Sequence, residues 1–364
     1  MRVLVAPDKF AGTLTAGEAA EAIAAGWARH APDDVLDQAP MADGGPGFLD
    51  VLHQALGGEL LAVTVRGPFG EPTPAGVLRV GERAYIESAQ GCGLHLTGGR
   101  TEARAEHASS YGVGQLVAAA VESGASEIVV GLGGSGSTDG GAGVLAALGA
   151  TADRPLDDGA AGLEGITTVD LAAARRAVEG VRIIAASDVD SPLTGLFGAA
   201  KTFGPQKGIP EERLPAVDAL LEAFAEATDR RTSLEPGAGA AGGVGYALLV
   251  LGGERRPGID LVVEAVDLPA RARAADLVIT GEGSFDFSSR AGKVPFGVAQ
   301  VAAEAIRPCV ALAGRVDVGA REMRALGIEA AHSLVDHVGL ERALGAPADS
   351  LADLAERVAR SWSR

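Results

Sequence analysis

Six short apolar runs punctuate this chain, and their spacing leaves few folds open to it. They are VLVAP (3–7), EIVVGL (127–132), VRIIAAS (181–187), DLVITGE (276–282), CVALAG (309–314) and AAHSLV (330–335). Between them lie segments with apolar residues at helical spacing, such as 16–29 and 108–122. Continuous rather than alternating apolar runs read as strands covered on both faces. Strands that alternate with helices build parallel sheets. The expected fold is therefore α/β, a doubly wound, Rossmann-like parallel sheet.

Two regions break the alternation. Residues 60–100 read as a meander of short strands around a GPFGEP turn with no helical pattern, and 191–267 combine glycine-rich loops with one amphipathic helix near 213–228. They predict a second, smaller α/β domain interrupting the first, with a cleft between the two. The expected borders give 1–59 with 108–190 and 268–364 to the parallel-sheet domain, and 60–107 with 191–267 to the insertion. A length of 364 residues suits two cores.

Charge narrows the partners. With 31 basic and 48 acidic side chains the formal net charge is −17, and no stretch carries a basic run, so nucleic acid is excluded as a partner. An anionic substrate would need positive charge built into its site. The two cysteines, Cys92 and Cys309, give neither a disulfide framework nor metal-ligand spacing. The N-terminal apolar run is too short for a signal peptide, and no run approaches the roughly 20 residues that cross a bilayer. A cytoplasmic protein without membrane contact is expected; the oligomeric state is not encoded legibly.

In open α/β sheets ligands bind outside the carboxyl ends of the strands. Here the exits are polar: DKFAGT, GGSGSTDGGAG, DVDSPL, GEGSFDFSSRAGK and RVD. Lysine sharpens the pattern, because the chain has 27 Arg but only Lys9, Lys201, Lys207 and Lys293. An ammonium is a compact charge suited to a phosphate oxygen, and Lys9 and Lys293 stand in exits while Lys201 and Lys207 bracket GAAKTFGPQKG. Lys201 also reads as a residue that merely flanks a helix.

Asp188 and Asp190, two apart, share a face if the strand stays extended, and would then hold Mg²⁺ or take a hydroxyl proton. Capping is the equal alternative for Asp190. Glu282 and Asp286 flank another exit, and Asp43 and Asp139 precede glycine pairs, where they serve a site or only a turn. Two GxGxxG matches occur, at Gly131, Gly133 and Gly136 and at Gly237, Gly239 and Gly242. Their amides suit phosphates. The first raises a dinucleotide fold, but STDGG intervenes before the helix. No P-loop, zinc spacing or nucleophile elbow is present.

Taken in order, APDKFAGTLTA (6–16), ADGGPG (42–47), IESAQGCGL (86–94), SSYGVGQL (109–116), GLGGSGSTDGGAG (131–143), ASDVDSPLTG (186–195), FGPQKG (203–208), PGAGAAGG (236–243) and DLVITGEGSFD with GKVPFGVA (276–299) resemble the type I glycerate kinases. The resemblance implies a two-domain kinase that uses ATP and Mg²⁺ to phosphorylate D-glycerate, usually at the 2-hydroxyl. It carries over Asp8 and Lys9 from the first loop, Asp188 and Asp190, Lys207, and Glu282 and Asp286.

On that basis ATP is expected at the glycine-rich exits, on Gly133, Gly134, Ser135 and Asp139 and on Gly281, Glu282 and Asp286. Asp188 and Glu282 are the expected metal ligands, Lys207 and Lys9 neutralise the transferred phosphoryl group, and Asp190 is the favoured base. Asp8, Asp43, Ser88, Gln90 and Lys293 are the expected substrate contacts, with Lys293 alternatively only starting a helix. Ala11, Pro46, Ser191 and Ser284 depart from the family's Lys, Glu, Asn and positive residue, which bears on substrate choice; Lys9, Arg290 or Arg315 would compensate. The competing readings are a 3-kinase or kinase of a related hydroxy acid, a nicotinamide-dependent dehydrogenase on GLGGSG, and a small-anion binding protein.

Overall fold

A computed structural model describes residues 1–10, 12–286 and 293–363. Its strands are β1 (Arg2–Pro7), β2 (Val35–Gln38), β3 (Glu59–Arg66), β4 (Pro72–Val80), β5 (Arg83–Glu87), β6 (Glu127–Gly131), β7 (Thr151–Ala152), β8 (Val169–Asp170), β9 (Arg182–Ala186), β10 (Glu254–Arg256), β11 (Leu277–Phe285), β12 (Cys309–Val316) and β13 (Ala330–Ser333). The six apolar runs all become strands, and their buried residues show why. Val3, Leu4 and Val5, like Leu277, Val278 and Ile279, are fully enclosed, so neither face has room for a polar side chain.

The chain divides into two compact units. The first takes residues 1–43, 50–56 and those from Ile259 onward. Its sheet is parallel throughout, in the order β13-β12-β11-β1-β2. From β1 the chain steps outward to β2, and from β11 it steps the other way to β12 and β13. The reversal lies between β1 and β11, the place where doubly wound sheets gather ligands. Helix Ala16–His30 opens on a capping box, with Thr15 and Glu18 each accepting from the other's backbone. Gly26 lets it lie on helix Pro347–Trp362, since a Cβ there would stand 2.0 Å from the Ala352 carbonyl oxygen. Enclosed Trp27 anchors this layer, and its loss to alanine would cost about 3–5 kcal/mol.

The second unit spans 44–49 and 57–258 and holds a six-stranded mixed sheet, order β10-β9-β6-β5-β4-β3. β3, β4 and β5 form the expected antiparallel meander, and β5, β6, β9 and β10 run parallel. This moves the expected border. Residues 108–190 belong with the meander rather than with β1, because β6 and β9 pair with β5 and with each other, and the inserted unit is the larger one. An apolar run shows that a strand is covered on both faces; it carries no record of which neighbour completes its ladder. The 60–100 region also holds a short α-helix, Ala89–Cys92, and a 3-10 turn, Leu94–Leu96, where no helical pattern was expected.

Candidate active site

In the first unit, Pro7 pairs with Gly281, and the Asp8 amide donates to the Gly281 carbonyl at 2.8 Å, so the two exits leave the sheet side by side. Gly281 is required by packing, because a Cβ would stand 2.3 Å from the Leu312 carbonyl oxygen. The loop after Lys9 turns back at once, with Phe10 and Leu14 exchanging backbone hydrogen bonds and the Phe10 ring in the core. Asp8 is thereby held in a buried position at the strand end, 7% exposed.

Lys9 donates its amide to Asp8 Oδ1 at 2.7 Å, and its Nζ lies 3.5 Å from the same oxygen and 3.9 Å from Asp43 Oδ1. Burial pushes the Asp8 carboxyl up to about 6; the Lys9 charge opposes the rise and the Asp43 charge adds to it. Glu282 is buried one residue further along β11, opposite Ala313. Asp286 follows the strand and accepts from Ser284 Oγ at 3.4 Å. Lys293 stands at the N-cap of helix Val294–Glu304, where its carbonyl accepts from Phe296 and Gly297. Arg315 is paired with Asp317 at 3.3 Å. Ala11 and Arg290 lie outside the described residues.

In the second unit the register aligns Glu87, Gly131, Ala186 and Arg256 across four parallel strands, so their exits leave the same edge. There a cavity of about 310 Å³ is lined by Leu94, Leu132, Gly133, Gly134, Ser135, Val189, Phe203, Gln206, Lys207, Ala241 and Gly242. Its walls are largely apolar side chains and bare backbone, the composition of a small-molecule site. Gly242 is close-fitted: a Cβ would meet Lys207 Nζ at 2.8 Å and the Ser137 carbonyl oxygen at 2.0 Å. Ala241 beside it holds a left-handed backbone, φ 51°, a strain of about 1 kcal/mol.

Lys207, the last residue of helix Ala199–Lys207, is the polar centre of this cavity. It is 3% exposed and donates to the Ser137 carbonyl at 2.5 Å. Burial brings its ammonium down to about 8 against the attraction of nearby Cys92 and Asp139. Cys92 is itself a neutral thiol, pushed up to about 12 by burial, and burial raises the Asp139 carboxyl as well, against the amides and hydroxyl that donate to it. Ser88 Oγ and Thr138 Oγ1, both fully buried, have no hydrogen-bond partner among the described residues.

Several expected contacts have other work. Asp139 faces inward, with Oδ2 accepting from Ser110 N, Ser110 Oγ and Gly143 N and Oδ1 from Gly141 N, so it ties the loop to a neighbouring helix start instead of meeting a ligand. Gln90 accepts the Gly76 amide at 2.7 Å, and β5 ends at Glu87, so Ser88 and Gln90 do not share a strand face. β9 ends at Ala186, and Asp188 and Asp190 follow it in a loop. Asp190 is 78% exposed and ion-paired with Arg255 at 2.8 Å, a poor setting for a proton acceptor. Lys201 is tied to Asp218 at 2.8 Å. Gly133 and Gly134 do line the cavity, and each also packs on the 44–46 turn, where Pro46 abuts Gly134.

Glu87, which accepts the amides of Gly47 and Leu49, and the cavity residues Phe203, Gln206 and Ala241 carried no individual signal in the sequence, whereas Gly242 closes the second GxGxxG match. Those three cavity residues lie in the FGPQKG and PGAGAAGG blocks, whose unusual composition was the available signal.

The donor set fits a nucleoside triphosphate: glycine backbone that no Cβ could replace, one enclosed ammonium and an apolar wall for a base. Among the described residues no group of three or more His, Cys, Asp or Glu forms a metal cage. Mg²⁺ that arrives on phosphates needs only one or two carboxylates, and half-buried Asp188 beside the cavity suits that mode.

A family profile described as the glycerate kinase family matches residues 3–363. The chain is 37% identical to a glycerate kinase of Bacillus subtilis strain 168, covering 99% of this chain and 96% of that one. It is 36% identical to the glycerate 2-kinase of Escherichia coli K12, with 99% and 97% covered. An uncharacterized Mycobacterium bovis protein, Mb2228c, is 44% identical over 99% of this chain and 91% of its own length. A crystal structure from Salmonella typhimurium LT2 assigned to glycerate kinase 2 matches with a TM-score of 0.80 at 34% identity, covering 99% and 98% of the two chains. No helix among the described residues is long and apolar enough to cross a membrane.

Proposed function

The chain belongs to the glycerate kinase family and phosphorylates glycerate, and from that premise we propose that it transfers the γ-phosphoryl group of ATP to the 2-hydroxyl of D-glycerate. The observation that carries this reading is Lys207, an ammonium enclosed in a cavity of glycine backbone, where an anion is the natural counter-group. The position of transfer follows the relative named as a 2-kinase.

In this reading the second-unit cavity takes the nucleotide, its base against Phe203, Leu132 and Leu94 and its phosphates against Gly133, Gly134 and Gly242. Lys207 neutralises charge on the transferred group, and a desolvated ammonium does so more strongly than one in water. Bound Mg²⁺ would supply further neutralisation of the phosphates, with Asp188 as a protein ligand.

The hydroxyl proton released as the glycerate oxygen bonds to phosphorus and the bond to the ADP oxygen breaks needs a carboxylate acceptor, and Asp8, with a pKa near 6, has the basicity that suits one at neutral pH. Lys9 steers Asp8 by its amide and ammonium. This replaces Asp190 as the base on grounds of burial.

Mixing the protein with ATP, Mg²⁺ and D-glycerate should release ADP, and phosphorus NMR should show 2-phosphoglycerate. A 3-phosphoglycerate signal would move the transfer to the other hydroxyl. No ADP above a no-acceptor control would overturn the reading.

A further inference from the structure

A carboxylate substrate faces a chain of net charge −17, and the nucleotide reading assigns it no cation. Arg255, on β10 at the aligned exits of the second unit, was not marked by composition because arginine is abundant here. Its guanidinium is fixed on several sides. Nε donates to the Ser187 carbonyl at 3.0 Å, and the backbone pairs with Ala185 of β9. The side-chain stem lies on Gly237, where a Cβ would stand 2.5 Å from Cδ.

What meets the outer end of this fork is itself a carboxylate. Asp190 Oδ1 lies 2.8 Å from Nη1, with Asp190 78% exposed and Arg255 only 23%. Among the described residues Nη2 has no hydrogen-bond partner. The pair is lopsided: a held cation, and an anion on a loop in water. Exposed ion pairs contribute little, so the anion is easily exchanged. A planar fork matches a planar carboxylate, whereas the phosphates already have Lys207 and backbone amides.

Resting on the glycerate-kinase reading, we propose that Arg255 is the specificity residue that receives the substrate carboxylate, and that Asp190 occupies its place in the resting enzyme. Substrate binding then exchanges one carboxylate for another on a fixed guanidinium.

The test compares D-glycerate with its neutral amide, glyceramide, in full-length wild type, Arg255→Ala, Arg255→Lys and Asp190→Asn. Wild type should prefer glycerate by about 100-fold or more in kcat/KM, the loss expected when a charge-assisted contact in the bound complex is unmet. Arg255→Ala should reduce that preference to below about 5-fold while KM for ATP stays within 2-fold, and Arg255→Lys should fall between. Asp190→Asn, which removes the competitor, should lower KM for glycerate about 2- to 5-fold without a large loss of kcat. A merely structural Arg255 would lower turnover of both acceptors alike and leave the preference unchanged, which overturns the proposal. So would a rise in KM for ATP instead of glycerate, or a 100-fold fall of kcat in Asp190→Asn. Wild type inactive on glycerate would overturn the functional reading and this proposal with it; active wild type with unaltered preference in Arg255→Ala overturns this proposal alone.

Discussion

Asp8 at a strand exit of the first unit and Lys207 at a helix end in the second are enclosed charged groups, and burial has moved them in opposite directions. Taking a group out of water disfavours its charged form, which raises a carboxylate and lowers an ammonium. Asp8 is raised to about 6 and Lys207 is lowered to about 8. The same force thus leaves a narrow interval in which one is an anion able to accept a proton and the other a cation able to hold phosphate. The partners differ as well. Asp8 has two charged neighbours of opposite sign, Lys9 and Asp43. The Lys207 ammonium has one neutral carbonyl as its hydrogen-bond acceptor, with the Asp139 carboxyl nearby but bonded to Ser110, Gly141 and Gly143, so an incoming anion would add a direct counter-group.

The comparison is broken most severely by removing one charge at a time. Asp8→Asn keeps the size and the acceptor for the Lys9 amide but cannot take a proton, and kcat should fall by about 10²–10⁴ with nucleotide affinity retained. An Asp8→Asn enzyme with wild-type kcat would place the base elsewhere. Lys207→Arg keeps the charge, yet the cavity is fitted to a single ammonium between Gly242 and Ser137. Turnover should drop by 10-fold or more, on the order of 1.4 kcal/mol in the barrier. Wild-type rates in that variant would show that any cation suffices.

The pH dependence sharpens the contrast. The kcat/KM profile should be bell-shaped, with an acidic limb near 6 from Asp8 and a basic limb near 8 from Lys207. Asp8→Asn should erase the first limb and leave the second. Bound anion should raise the Lys207 pKa again, so ATP binding at pH 8.5, about half a unit above the pKa of the free site, should take up protons, measurable by titration in buffers of different ionisation heat.

Stability runs the other way. The folded state holds the Asp8 proton more tightly than the unfolded chain, so stability falls as pH rises from the ordinary aspartate value of 3.8 to about 6. It holds the Lys207 proton less tightly, so stability rises with pH between about 8 and the ordinary 10.5. Between those windows both groups are charged and both burial costs are in force. Asp8→Asn should therefore raise the unfolding free energy at pH 7, by about 1–3 kcal/mol, as it abolishes turnover. Unchanged or lowered stability in urea titration would mean that Lys9 compensates the buried carboxylate fully.

How much of this the sequence disclosed depends on what each signal encodes. Strands such as β1 and β12 were legible because double-sided burial demands unbroken apolar runs. Their partners were not: β6 and β9 look alike in either sheet, and only the pairing with β5 assigns them. Lys207 and Lys9 were legible because lysine is scarce, and Asp8 because it follows a strand. Asp139 and Gln90 misled for a physical reason. A polar side chain at a strand exit has the same sequence signature whether it faces a ligand or, as here, backbone amides. Arg255 was hidden by abundance, one arginine among 27.

Lys201 gives the smallest effect and separates scarcity from burial as the mark of function. It is as rare a residue type as Lys207 and lies on the same helix, yet its side chain is 29% exposed and its Nζ is held by Asp218 at 2.8 Å. Asp218 also accepts the Gly195 amide, so the pair braces the loop after β9. A part-exposed ion pair of this kind contributes less than about 1 kcal/mol. Lys201→Met should lower stability by that much and leave kcat and both KM values within 2-fold. If it instead lowered kcat as Lys207→Arg does, scarcity of lysine alone would mark the catalytic groups, and the burial argument that distinguishes Lys207 would lose its force.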